Sequence, residues 1–168
     1  MKNRTPASTL KKVVVLSQDG TAEKGYLNPA TLGRAEELDL LTVDGEHQTM
    51  NLARIKSIYF VREFQDKFEL DRKTFLSRPK LDGLWVRLKF RDGDVVEGIV
   101  SNDLLEMLDT GVQLTPPDLN GNSLRLFIPR SALMEMKVLG VVGVARRAAP
   151  GAAASKKVAE TQAKLFGE

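Results

Sequence analysis

Residues 84–98, LWVRLKFRDGDVVEG, decide the fold. From Leu84 to Arg91 the side chains alternate: Val86, Leu88 and Phe90 point one way, and Trp85, Arg87, Lys89 and Arg91 the other, as in a strand with one face on a core. Asp92-Gly93 is a hairpin signal, and a second strand follows from Val95 to Val100. An earlier stretch repeats the arrangement. Asp19-Gly20 precedes Gly25 at the spacing that separates Asp92-Gly93 from Gly98, an offset of 73 residues, and Val13 and Val15 match Val86 and Leu88 at that offset. Farther on, Met50, Ile55, Ile58, Phe60 and Val61 match Ile128, Leu133, Met136, Val138 and Leu139 at an offset of 78. The five extra residues form a loop insertion between the matched ends. A module written twice sets the organisation of the chain before any local detail does.

In the first copy the sequence predicts strands over 13–16, 22–27, 38–43, 47–52 and 55–61, with turns at Asp19-Gly20 and Asp44-Gly45 and a break at Asn28-Pro29. Five short strands in about fifty residues suggest a small closed barrel. In the second copy, strands over 112–115, 124–128 and 133–139 follow the opening hairpin, and Val141 to Val144 extends the last. Asn102 to Asp109 reads as a short helix, Pro116 to Asn122 as a hairpin loop and Pro129 to Ala132 as a single 3₁₀ turn. The connector, 63–83, carries Phe64, Phe68, Leu70, Phe75 and Leu76, too apolar for a solvated linker. It is expected to pack on the barrels, with a short helix from Asp71 to Leu76. Residues 1–10 read as a flexible lead-in. Residues 145–154 read as mobile Ala-rich low complexity, and Ser155 caps a marginal helix to Phe166 that needs a partner surface for Val158, Leu165 and Phe166.

The chain has 168 residues, 42% of them hydrophobic, which allows a real core. Its net charge of +3 hides a division: residues 1–12 carry +4, residues 141–168 carry +3, and the body between them carries −4. A nucleic-acid-binding body shows a basic excess, and here that excess lies in the ends. There is no cysteine, so disulfides and thiol nucleophiles are excluded and zinc lacks its soft ligands. No signal-peptide core or membrane-length apolar run is present, and a cytoplasmic location is expected.

The repeated DG turn, the glycine in the second strand (Gly25, Gly98) and the short turn before the fifth (52–54, 129–131) together resemble the Sm-like branch of small β-barrels. More specifically, IKSIYFVREF (55–64), LWVRLKFRDG (84–93), LTPPD (114–118) and IPRSAL (128–133) are similar to a bacterial family of unknown function built from such SH3-like modules. Modules of this kind sit beside PilZ or other signalling domains in some proteins. RNA-binding Sm-like rings read bases from an Asp-x-x-x-Asn-like loop after the second strand and an Arg-Gly-like pair before the fifth. Those places hold Asn28-Pro29-Ala30 and Asn102-Asp103, then Ala53-Arg54 and Arg130-Ser131. The resemblance thus offers Arg54 and Arg130 as nucleic-acid contacts.

Candidate chemistry is sparse. His47, the single histidine, follows a turn and has neither a second histidine nor a cysteine to share a metal. The carboxylates are unpatterned, the serines lack an elbow motif, and no phosphate-cradling glycine loop is present. No catalytic residue, metal or cofactor is expected. Arg87-x-x-x-Arg91 spells the RxxxR with which PilZ domains grip cyclic dinucleotides, without the companion motif downstream. Trp85, Arg87, Lys89 and Arg91 form either a solvated strand face or a stripe for phosphate or a carboxylate-rich partner. Val13 to Leu16 is apolar on both faces. Its outward pair, Val14 and Leu16, therefore meets the connector, the other barrel or another subunit.

The expected architecture is mostly β: two tandem five-stranded Sm-like barrels at 11–62 and 84–144, with a packed connector and a tail at 145–168. The expected function is that of a non-enzymatic protein-interaction or adaptor module, with self-association as one form of that interaction and with Val14, Leu16 and Trp85 as its face. The first alternative is an RNA- or nucleic-acid-binding protein using Arg87, Lys89, Arg91, Arg54 and Arg130. The second is a cyclic-dinucleotide sensor of the PilZ kind.

Overall fold

The computed structural model describes residues 9–70, 72–107 and 110–143. Among these residues the chain forms β1 (Lys11–Ser17), β2 (Ala22–Leu27), β3 (Glu37–Thr42), β4 (His47–Asn51), β5 (Ile55–Val61), β6 (Gly83–Phe90), β7 (Val95–Val100), the one-turn helix α1 (Leu104–Met107), β8 (Gly111–Leu114), β9 (Ser123–Pro129) and β10 (Leu133–Val142). Gly20 and Gly93 close the β1–β2 and β6–β7 hairpins at φ of +89° and +90°, a left-handed conformation that favours glycine. Single 3₁₀ turns occupy Pro29–Thr31, Leu52–Arg54 and Arg130–Ala132. Asn28 and Asn51 cap the first two, each side-chain oxygen accepting from a backbone N–H two residues on.

The strands form two antiparallel sheets, not two closed barrels. One has seven strands in the order β4-β3-β2-β1-β5-β9-β8, the other three in the order β10-β6-β7. The expected second barrel is divided because β9, with β8 beside it, pairs with β5 of the first half: Ile58 opposes Phe127, Tyr59 opposes Leu126 and Phe60 opposes Arg125. Only the bridge between Ile99 and Thr115 joins β7 to β8.

Within this arrangement the two halves share much of their strand register. Val13, Val14 and Val15 oppose Gly25, Lys24 and Glu23, as Val86, Arg87 and Leu88 oppose Gly98, Glu97 and Val96. β1 meets β5 at Val13/Phe60, Val15/Ile58 and Ser17/Ile55, and β6 meets β10 at Val86/Val138, Leu88/Met136 and Phe90/Leu133, with a bulge at the equivalent place in each and a second one in β10 between Val138 and Gly140. Leu38 opposes Met50 as Val112 opposes Ile128. These registers place one of the five inserted residues before β8 and four in the β8–β9 loop.

Gly25 and Gly98 occupy the same tight place. A Cβ on Gly25 would lie 2.6 Å from the Leu41 carbonyl oxygen and 2.8 Å from Leu40 Cδ1. One on Gly98 would meet Leu114 Cδ1 and lie 2.9 Å from the Thr115 oxygen. Gly98→Ala is therefore expected to cost about 1–3 kcal/mol, since overpacking displaces a closely packed neighbour. A lower urea midpoint at unchanged slope checks it.

Two cores result, and each borrows from the other half. The first gathers Val13, Val15, Leu27, Leu38, Leu40, Leu52, Ile55, Ile58 and Phe60, and closes over Phe127 from β9. The second gathers the inward residues of β6, β7 and β8 with Leu126 and Ile128, and takes in Val14, Tyr59 and Val61 from the first half. The connector packs as expected through Phe64, Phe68 and Leu70. Phe64 meets Tyr26 edge-on at 5.6 Å, and Phe68 lies 4.4 Å from Tyr59. It forms no helix over 72–82, and Leu76 is exposed. The expected cap Asp71, most of the lead-in at 1–10 and the tail at 145–168 lie outside the described residues.

Candidate interaction site

The polar stripe of β6 is drawn onto a buried carboxylate. Glu97 stands opposite Arg87 in the β6–β7 hairpin, and its side chain is only 4% exposed. Arg87 Nη2 donates to Glu97 Oε1 at 2.9 Å and Arg87 Nε at 3.3 Å. Trp85 Nε1 and the Phe75 N–H each donate to Glu97 Oε2 at 3.1 Å. The Glu97 N–H donates to the Lys73 carbonyl at 2.7 Å, and Phe75 packs edge-on against Trp85 at 6.0 Å. Burial alone would raise the Glu97 carboxyl, but the donors from Arg87, Phe75 and Trp85 outweigh it and hold the group below its ordinary value. The cluster fastens the connector to the second sheet.

The neighbouring charges are also engaged within the chain. Arg91 Nε donates to the Ser131 carbonyl at 2.7 Å. Lys56, above the Phe90 ring at 4.8 Å, reaches Asp92 at 2.6 Å and Asp94 at 3.2 Å, and Lys73 reaches Asp94 at 2.9 Å. This network ties β5 and the connector to the β6–β7 turn. Lys89 is exposed on the face of β6. Arg54 and Arg130 are exposed at the two equivalent 3₁₀ turns. Arg87 and Arg91 each serve an acceptor within the chain and, with Lys89, stay exposed along β6 and its turn.

Val14 and Leu16 are occupied as well. Val14 is 1% exposed inside the second core, and Leu16 packs against the same core half-buried. Of the three occupants the sequence left open, the other half of the chain and the connector share that core. Trp85 is half-buried between Phe75 and Glu97. Of the expected face, Val14 is thus used inside the fold, while Leu16 and Trp85 keep part of their surface exposed.

The open apolar surface lies instead on β10. This ten-residue strand ends its sheet and pairs only with β6 among the described residues. Met134, Val138 and Val141 are 67%, 55% and 65% exposed, and Leu139 is exposed beside them. The equivalent β5, flanked by β1 and β9, is buried along almost its whole length. At the far end of the other sheet, β4 is also an edge strand, polar and half-exposed. The sequence read these residues as the last strand but gave no sign that, among the described residues, its outer edge has no partner strand. That depends on which strand pairs with which.

Among the described residues no cluster of histidine and carboxylate side chains is placed to hold a metal, and no helix is long and apolar enough to cross a membrane. Residues 9–140 match the model of a family of unknown function, DUF6982. No curated protein and no solved structure matches the chain.

Proposed function

We propose, for a chain that belongs to the family of unknown function DUF6982, the role of a non-enzymatic protein-interaction module. It is built from two copies of one five-stranded, Sm-like unit and binds through the outer edge of β10. The shared strand registers of the two halves support the two-unit reading. The observation that carries the functional reading is the ten-residue edge strand with exposed Met134, Val138 and Val141. Natural proteins blunt such edges with charges, prolines or covering elements unless the edge is used. An added strand satisfies the free backbone groups, and alternate side chains provide selectivity. Leu133–Val142 keeps two charged residues, Glu135 and Lys137, and these pair with each other at 2.9 Å.

Val138→Lys tests this reading. Val138 is exposed, so the substitution is expected to change stability by no more than about 0.5 kcal/mol, which urea unfolding verifies. Affinity capture of the full chain, with nuclease treatment, is expected to retain protein partners that the Val138→Lys chain loses. An apolar edge contact is also expected to survive moderate salt, whereas phosphate binding falls steeply with it. Partners unchanged by Val138→Lys, or lost on nuclease digestion, would overturn the proposal.

A further inference from the structure

We infer that the strand that completes β10 is β10 of a second copy, paired antiparallel about a two-fold axis beside Met136. The inference rests on the reading of β10 as an interaction edge and deepens it by naming the occupant.

The strand is self-complementary about that point. Outward from Met136 in either direction comes a charged residue, Glu135 or Lys137, and then an exposed apolar one, Met134 or Val138. In an antiparallel pair, directly opposed residues share a face of the sheet. A two-fold axis normal to the sheet leaves each face where it is, so it passes beside a residue, which then opposes its own copy. With the axis beside Met136, Glu135 opposes Lys137 of the second copy, and Lys137 opposes its Glu135. One step farther out, Met134 and Val138 oppose each other. An axis beside Glu135 or Lys137 sets like charges against each other instead. One beside Val138 sets Lys137 against Leu139 and Glu135 against Val141. The axis beside Met136 alone matches the unlike charges.

The local geometry suits this register. Glu135 to Val138 pairs with β6 without a break, the bulges falling at Met134 and Leu139, so a regular ladder lies at the axis. Glu135 Oε1 and Lys137 Nζ already stand 2.9 Å apart and exposed. The second copy lays its own pair alongside in reverse order, which makes a square of alternating charge. Opposite charges facing each other across strands stabilise a sheet, and like charges destabilise it. The two three-stranded sheets, each β10-β6-β7, thereby become one of six strands. Both copies use the same edge, so the contact is isologous and closes at two copies.

Charge reversal reads the register. Glu135→Lys and Lys137→Glu each place two like pairs across the axis, and each is expected to weaken the dimer at least about tenfold. Both positions are exposed, so urea unfolding is expected to show the fold unchanged. An equal mixture of the two variants is expected to restore the dimer, because every cross-strand pair in the mixed species is again unlike. Sedimentation equilibrium of the full chain is expected to show a mass that rises with concentration to that of two copies and stops there. The chain has no cysteine, and directly opposed residues stand about 4.5–5.5 Å apart at Cα, within disulfide reach. Met136→Cys alone is therefore expected to give a covalent dimer under mild oxidation. A mass of one copy at every concentration would overturn the inference, including the cases in which residues beyond 143 or an unrelated protein cover β10. A mass that passes two copies would overturn it in favour of head-to-tail pairing with another edge. A mixture no stronger than its separate variants would overturn the register and with it the inference. The broader interaction reading fails separately, only if Val138→Lys also leaves the captured partners unchanged.

Discussion

Phe127→Ala is expected to destabilise the fold by about 3–5 kcal/mol, the range for truncating a buried aromatic side chain. Phe127 belongs to β9 by sequence, yet its ring is 2% exposed inside the core of the first half, among Val13, Leu40, Ile58 and Phe60. It also packs against Gly111, where a Cβ would strike the ring. Truncation leaves a cavity at the seam between the halves. Because each core borrows side chains from the other half, the loss is expected to lower one cooperative transition. Calorimetry checks this: a single peak displaced to lower temperature agrees, and two separable peaks in the unmodified protein would not. Thr49→Ala, at the counterpart position on exposed β4, is the control and is expected to stay within about 0.5 kcal/mol.

Glu97→Ala is expected to cost about 3 kcal/mol, the scale of hydrogen bonds to a charged group together with the donors left unmatched. Removal of the carboxylate leaves Trp85 Nε1 and the Phe75 N–H without their acceptor and frees Arg87. The connector is then held by its aromatic contacts and by the Lys73–Asp94 pair. Glu97→Gln separates charge from shape, because it keeps an acceptor of similar size. The Glu97 carboxyl is held below its ordinary value of 4.5 in the folded chain, so its stabilisation is complete above that pH and is lost as pH falls through the folded value. The stability difference between the unmodified chain and Glu97→Gln is accordingly expected to be largest near neutral pH and to shrink on acidification below 4.5. Urea titrations at stepped pH measure it. Asp92 and Asp94, also held low, contribute equally to both chains and cancel in the difference. A difference that does not change with pH would mean that the charge of Glu97 is not what secures the connector.

Much of the architecture was legible because it is local. Alternation over Leu84–Arg91 and the Asp-Gly turns give the strand positions and the places of the hairpins, while the register follows from three-residue loops, 18–20 and 91–93, that fix which residues face each other. β7 carries a further signal in Glu97. A lone acid in an apolar strand, Val95 to Val100, calls for a partner, but a two-residue turn at Asp92-Gly93 would set Glu97 opposite Leu88, and the three-residue loop Arg91-Asp92-Gly93 sets it opposite Arg87 instead. The connector's aromatic residues announced burial correctly, while its expected helix failed. Phe68 packs on Tyr59 and Phe75 on Trp85, and the segment between follows a bent, non-helical path over its described residues.

By itself the sequence determined the strands, their turns and the correspondence between the halves, because hydrophobic period and turn chemistry act over a few residues. Only the tertiary structure decided that β9 leaves its own half to pair with β5 and that Val14 faces a core. It alone decided that Phe127 crosses the seam and that β10, among the described residues, ends its sheet with exposed apolar side chains. Alternation states which residues seek cover. Which surface covers them is set by strand pairings far apart in the chain, where backbone hydrogen bonds carry no sequence code and the choice is made by the fit of whole sheets.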